Sequence, residues 1–312
     1  MLEHQLAPAV VMVEPRDFGF NTATAHDNAF QHQPDLSSKQ VSKLVMSEFW
    51  SMVEILDDKG VDVITLDSPP EVHVPDAVFP NNWFSTTDTD LIIYPMKTAN
   101  RQAEVQIETL ESALTTKGYK LERTIDLREQ GRLGGILEGT GVLIFNHPSR
   151  DVFANISERC QQQALSDFCA EHDYKQWPLY AVTSTLVPIY HSNVLMSCGQ
   201  DFAVIAKDTL TTAACNKKSY QHLNNLYTDV IDISEQQMVE SFCGNILQLR
   251  TTSGNPIIVL SESASKGFTT EQIALLEKHG DLAICPIPNI EYIGGGSARC
   301  MIAEIFLKKS QP

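Results

Sequence analysis

The chain has 312 residues, 43% hydrophobic and 20% charged, with a formal net charge of −16. The length allows one large domain or two ordinary ones, and the apolar fraction allows a sizeable core. So acidic a chain is ill suited to nucleic acid or to an anionic membrane surface, since both need a basic footprint, and no apolar run is long enough to span a bilayer. The N-terminal residues lack a basic segment followed by an apolar one, so no export signal is read and a cytoplasmic location is expected. Seven cysteines form no CxxC pair and no Cys/His cluster at zinc spacing. They read mostly as reduced, buried thiols, and no metal site is expected.

In chain order, 9–13 is a short apolar run bounded by prolines and predicts a buried strand. A polar loop follows, from Arg16 to Asn21. Residues 38–59 predict a helix, with Val41, Leu44, Val45, Phe49, Met52, Val53 and Leu56 at helical spacing and Gly60 to end it. Residues 61–66 alternate like a strand. The stretch 75–85 is rich in Pro, Asn and aromatic residues and holds Asp76, Phe79, Asn81, Asn82 and Trp83. Pro-Asn-Asn is ordinary turn chemistry, and adjacent amides beside an aromatic ring equally suit a pocket wall. A strand at 91–94 and a helix at 101–117 come next, with Gly118 placed to end the helix. Glu138 then stands between an apolar dipeptide and a glycine turn, where a buried carboxylate must be paired or functional. A strand at 151–155 and a helix at 160–172 follow. Short strand-like pieces cover 181–184, 187–190 and 194–196, with His191, Ser192 and Asn193 between the last two. Residues 202–206 read as a strand, 234–243 as a helix, 257–260 as a strand and 282–288 as a strand. Residues 269–279 read as a helix opened by Thr269 and Gln272 at capping-box spacing. Strands mixed with helices recur about five times, with no linker and no self-similar sequence repeat. This predicts a single α/β domain over 1–312.

The most distinctive stretch lies near the C-terminus. Gly294, Gly295 and Gly296 lead through Ser297, Ala298 and Arg299 to Cys300, before an apolar run. Three glycines let the backbone turn sharply and approach a ligand. A thiol held there beside a fixed cation is a candidate nucleophile. With His191 and Glu138, the chain offers a thiol, an imidazole and a carboxylate, the parts of covalent catalysis.

Three motifs carry a resemblance: Glu138-Gly139-Thr140-Gly141, Tyr190-His191-Ser192-Asn193, and the glycine run ending at Cys300 and Met301. In this order they resemble the guanidine-modifying (pentein) superfamily of arginine deiminases, dimethylarginine dimethylaminohydrolases and amidinotransferases. The stretch from Pro75 to Trp83 resembles the substrate-binding loop of that superfamily. The likeness spans nearly the whole chain. Phe18-Gly19-Phe20-Asn21, Phe79-Pro80-Asn81-Asn82-Trp83 and Leu137-Glu138-Gly139-Thr140-Gly141 resemble most the amidinotransferase-related branch called citrulline utilization hydrolases. The resemblance implies a five-bladed, pseudo-symmetric αβ-propeller of ββαβ modules with the site on its axis. It also implies Cys300 as nucleophile, His191 as proton shuttle and Glu138 as the carboxylate that holds substrate nitrogens and places His191. It implies no metal and no organic cofactor, and a small amino acid as substrate. A homodimer is an open expectation.

Two departures bear on the substrate. Arginine deiminases carry aspartates where this chain has Asn82 and Asn193. A charge-assisted hydrogen bond is worth about 1.5–3 kcal/mol and a neutral one about 1. Two neutral amides therefore weaken a guanidinium more than a ureido group. A hydrolase of citrulline is expected first and of arginine second, with an amidinotransferase or a non-catalytic binding protein as alternatives. Asn81 stands beside Asn82 and is the other candidate for that role. Asp76 would hold the substrate amino group or brace the loop, and Phe79 belongs to the same loop. For the α-carboxylate, Arg16 and Arg299 are the candidates, ahead of Arg159 and Arg132.

Overall fold

Short apolar runs become strands buried on both faces. In β1 (Ala9–Val13) every residue is buried; Val10 and Met12 join one apolar cluster, while Ala9, Val11 and Val13 join another. That is why the segment reads as a continuous apolar run rather than an alternating one. A computed structural model describes this strand and the rest of the chain over residues 2, 4–70, 72–129 and 132–309.

Among the described residues, fifteen strands form five separate three-stranded sheets. β2 (Asp62–Leu66) lies parallel to β1, and β15 (Ala303–Ile305) lies antiparallel to it on the other side. The second sheet holds β3 (Phe84–Thr86), β4 (Asp90–Ile93) and β5 (Arg123–Asp126). The third holds β6 (Ile144–Asn146), β7 (Asp151–Asn155) and β8 (Lys175–Leu179). The fourth holds β9 (Met196–Cys198), β10 (Phe202–Ile205) and β11 (Asp229–Asp232). The fifth holds β12 (Leu247–Arg250), β13 (Pro256–Ser261) and β14 (Asp281–Cys285).

Each sheet has one antiparallel and one parallel pair, the parallel pair being joined through helix. A parallel pair needs such a crossover, which packs back on the sheet. The result is the expected five-bladed αβ-propeller of ββαβ modules, with the first blade closed by the chain's last strand. Among the described residues no helix is long and apolar enough to cross a membrane.

Several elements follow the sequence closely. The first helix is Ser38–Asp58, opened by a capping box of Ser37 and Gln40. Thr269 and Gln272 do form the expected capping box, on the helix Thr270–Leu276. Elsewhere the structure corrects the reading. The helix expected over 101–117 is two pieces, Ala99–Gln102 and Ile107–Thr116. The break frees Arg101 to bond side chains and carbonyls of its neighbourhood. Residues 181–184 and 187–190 make isolated bridges rather than strands. The helix Ala214–Leu226 escapes a reading by apolar period because its buried face is Asn216, Ser219 and Leu223. Asn216 and Ser219 satisfy the carbonyls of Tyr180 and Pro178 instead of adding apolar surface.

Candidate active site

Before each inner strand the chain makes a short turn toward the axis: Pro80–Asn82, Gly139–Val142, Ser192–Leu195, a turn through Gly244, and Ala298–Met301. Two or three residues ahead of β3, β6, β9, β12 and β15 stand Asn82, Gly141, Asn193, Asn245 and Cys300. The five blades thus present five equivalent positions to one point. Both Asn193 Nδ2 and Asn245 Nδ2 donate to Cys300 Sγ at 3.2 Å. Asn245 Nδ2 also donates to Asn193 O at 2.7 Å. Asn82 Nδ2 lies 3.3 Å from His191 Nε2. The fifth position has no side chain for a steric reason: a Cβ on Gly141 would sit 2.4 Å from Asn82 Nδ2 and 3.2 Å from the His191 ring.

The turn that carries Cys300 is braced from behind. Gly295 has φ +63, and a Cβ there would lie 2.7 Å from Gln31 N, so glycine is required by both conformation and space. Asn28 Nδ2 donates to Gly294 O, Tyr190 OH donates to Gly295 O, and Ser297 Oγ donates to Glu291 Oε1 at 2.5 Å. Cys300 is buried, and burial pushes its thiol up; the backbone near Ser297, Asn245, Arg299 and Asn193 oppose that in part.

His191 Nε2 donates to Glu138 Oε2 at 2.7 Å. Glu138 is fully buried and also accepts from Lys97 N and from Arg159 Nη1. Burial raises its carboxyl, but the His191 hydrogen bond and the Arg159 charge outweigh burial and hold it well below the usual carboxylate range. Burial pulls His191 down, with Glu138 acting against it. The resting pair is therefore a neutral thiol and a neutral imidazole beside an ionised carboxylate.

A small cavity of about 20 Å³ joins these groups. Asn82, His191, Cys300, Asp76, Phe79, Arg101 and Arg159 line it, together with Tyr190 and the three glycines. Asp76 is buried, accepts from Asn21 Nδ2 at 2.7 Å, and keeps Oδ1 without a partner. Asn193 Oδ1 is likewise unpartnered. Arg101 is clamped by Glu104 through Nε and Nη2, with Nη2 also on Phe79 O. Arg159 holds Asp27 through Nε and Nη2.

The structure thus gathers Cys300, His191, Glu138, Asn82, Asn193, Asp76 and Phe79. Three expected residues fall elsewhere. Asn81 is fully buried behind the cavity; its carbonyl takes Thr140 Oγ1 and its side-chain amide has no partner. Arg16 is half exposed and paired with Glu14 and Asp67, outside the cavity. Arg299 turns away from the cavity and donates to Thr140 O at 2.6 Å. The guanidinium groups at the cavity are instead Arg101, which the sequence places only at the start of a helix, and Arg159, ranked below Arg16 and Arg299. Asn245 also went unread. Its signal is the recurrence of Asn followed by two apolar residues at 82–84, 193–195 and 245–247.

Residues 14–307 match the family described as N,N dimethylarginine dimethylhydrolase, eukaryotic. The chain belongs to that family. No curated protein matches the sequence. Solved structures place the dimethylarginine dimethylhydrolase-family chain among pentein folds. The arginine dihydrolase ArgZ of the ornithine–ammonia cycle in Cyanobacteria shares 14% identity, with a TM-score of 0.70 over 97% of this chain and 41% of its own. The N-terminal domain of ArgZ bound to product shares 15%, at 0.69, over 96% of this chain and 99% of that domain. The dimethylarginine dimethylaminohydrolase of Pseudomonas aeruginosa, complexed with citrulline, shares 16%, at 0.65, over 96% of this chain and 100% of its own. The chain spans about two-fifths of the length of full ArgZ and nearly all of its N-terminal domain.

Proposed function

We propose that the chain is one catalytic unit that hydrolyses the ureido group of citrulline or a close analogue through a covalent intermediate on Cys300. The observation that carries this reading is the shell of the thiol: two amide groups, Asn193 and Asn245, donate to Sγ, and Asn82 stands beside His191. A ureido oxygen and nitrogens can use amides as donors and acceptors, with Asn193 Oδ1 left free to accept. Two N-methyl groups could not use those hydrogen bonds. Beside Asp76, whose Oδ1 suits an α-ammonium, Arg101 suits an α-carboxylate.

Substrate binding brings the electrophilic carbon to Sγ. The thiol proton passes to His191, Sγ bonds to the ureido carbon, and a tetrahedral adduct forms. His191 returns the proton to the departing amine, and the C–N bond breaks. Ornithine leaves, and a thiocarbamate remains on Cys300. His191 then takes a proton from water, which attacks the same carbon; the C–S bond breaks, His191 returns the proton to Sγ, and the carbamic acid released decomposes to ammonia and carbon dioxide. Glu138 keeps His191 in place and stabilises its imidazolium.

Arginine is the second reading, favoured by the ionised Glu138, which suits a guanidinium. Purified protein incubated with citrulline and separately with arginine decides the matter, with ornithine, citrulline and ammonia as readouts and Cys300→Ala as control. Ornithine from citrulline, absent with the variant, is the expected result. Faster turnover of arginine would overturn the substrate preference, and product only with an added amine acceptor would replace hydrolysis by transfer.

A further inference from the structure

A second, larger cavity of about 230 Å³ lies between the second and third blades and the chain's last strand. At liquid density it has room for about seven or eight waters. Thr140 forms part of its wall, and the next residue, Gly141, belongs to the catalytic turn. None of the side chains assigned above to catalysis lines it.

The walls are aromatic. Phe145, Phe168, Tyr174 and Phe306 line the cavity, and Phe145 is stacked on His147 with ring centres 4.9 Å apart. His147 is buried, and burial followed by the charge of Arg150 pulls it down to about 3, so it is neutral in neutral solution. One charged group among the lining residues stands out. Glu304, on β15, keeps its backbone in the sheet opposite Val10. Its carboxylate has neither a hydrogen bond nor an ion pair among the described residues, although burial pushes it up to about 7. Arg299, the nearest source of opposing charge, donates to Thr140 O instead.

The cations around the cavity are already engaged. Arg123 holds Asp90 with two hydrogen bonds. Arg150 lies over the Tyr174 ring at 4.4 Å and donates to the carbonyls of His172 and Asp173. What remains is the Glu304 carboxylate and the aromatic walls, His147 being already bonded through Nδ1 to Tyr174 OH. Glu304 is half-buried, and a carboxylate that faces the cavity without an ion pair gains from a cation brought to it. Ring faces attract organic cations in the same position. The acids and histidines that line the cavity form no metal-ligand grouping; among the described residues that grouping is at His26, Asp27 and Glu158, where Lys97 already sits.

We propose that this cavity is a second ligand site, separate from the catalytic one, that takes a small organic cation: an ammonium or guanidinium group on Glu304 with its apolar body against Phe145, Phe168 and Phe306. The probe is benzylamine, with benzyl alcohol as its neutral counterpart, titrated calorimetrically into the full chain. Saturable one-to-one binding of benzylamine to the wild-type chain and to Cys300→Ala alike is expected. Affinity should fall at least tenfold in Glu304→Gln, and benzyl alcohol should bind at least tenfold more weakly than the amine. Phe145→Trp fills the cavity while leaving Glu304 in place and should abolish binding; a thermal melt of each variant checks folding. No saturable binding at millimolar benzylamine, equal affinity for the alcohol, unchanged affinity in Glu304→Gln, or loss of binding in Cys300→Ala would each overturn the site. The citrulline assay reads the other cavity, so its outcome is independent of this one.

Discussion

At Cys300 the thiol meets amides rather than a cation. Arg299 is its sequence neighbour, yet the guanidinium turns to Thr140 O, and burial dominates the thiol's ionisation. The thiol is therefore protonated in the free protein at neutral pH. Alkylation of Cys300 by iodoacetamide, followed by mass spectrometry of its peptide, should be slow at pH 7 and rise above pH 9; the half-buried Cys215 should react first. Fast alkylation of Cys300 at pH 7 would mean that a resting thiolate exists. Arg101 offers a second residue-level test. Its Nε and Nη2 are engaged by Glu104 and Phe79 O, and among the described residues no partner holds Nη1. Arg101→Lys keeps a cation opposite the buried Glu104 but loses the planar fork. KM for citrulline should rise tenfold or more with a smaller change in kcat; an unchanged KM would remove Arg101 from carboxylate binding.

At the scale of elements, the five axial turns explain why the site tolerates so little. Gly141→Ala would place a methyl within 2.4 Å of Asn82 Nδ2 and against the His191 ring. It should lower kcat at least a hundredfold while the melting temperature moves little, because the displaced amide lines the cavity at Cys300 rather than the apolar core. The Cys300 turn depends on Glu291, whose carboxyl burial pushes up to about 7 despite hydrogen bonds from Ser261 and Ser297. The unfolded chain loses that proton near 4.5 and the folded chain only near 7, so this group costs stability as pH rises between those values. Glu291→Gln keeps an acceptor for Ser297 and removes the charge. It should stabilise the protein by roughly 1–3 kcal/mol at pH 8 and by little at pH 4 in denaturant titrations. Equal effects at both pH values would show that the charge is relieved another way.

For the whole molecule, closure of the ring is the main structural commitment. β15 pairs with β1 and carries the chain's last described strand into the first blade. It also brings Cys300, three residues earlier, to the axis. Deleting residues 303–312 should leave β1 without its antiparallel partner and expose the clusters that hold Ala303, Ile305 and Leu307. The truncated chain should lack a cooperative thermal transition by circular dichroism. A cooperative melt near that of the intact chain would mean that the other four blades stand without closure.

The apolar runs at 9–13, 202–206 and 257–260, the capping boxes and the glycine-flanked thiol were legible because each is a local pattern. A strand buried on both faces needs consecutive apolar residues, and a helix start needs its cap within four positions. The ranking of cations was not legible. Arg16, Arg101, Arg159 and Arg299 are alike in one dimension; a break in a helix turns Arg101 to the cavity, while a carbonyl at Thr140 draws Arg299 away. Asn81 and Asn82 are neighbours, and the tight turn at Pro80–Asn82 decides which of them faces His191. Asn245 gains its place only because five modules close on one axis. The sequence by itself determined the parts and their chemistry; the tertiary structure decided which of them meet, because contacts between residues more than fifty positions apart depend on how the blades close and not on any local pattern.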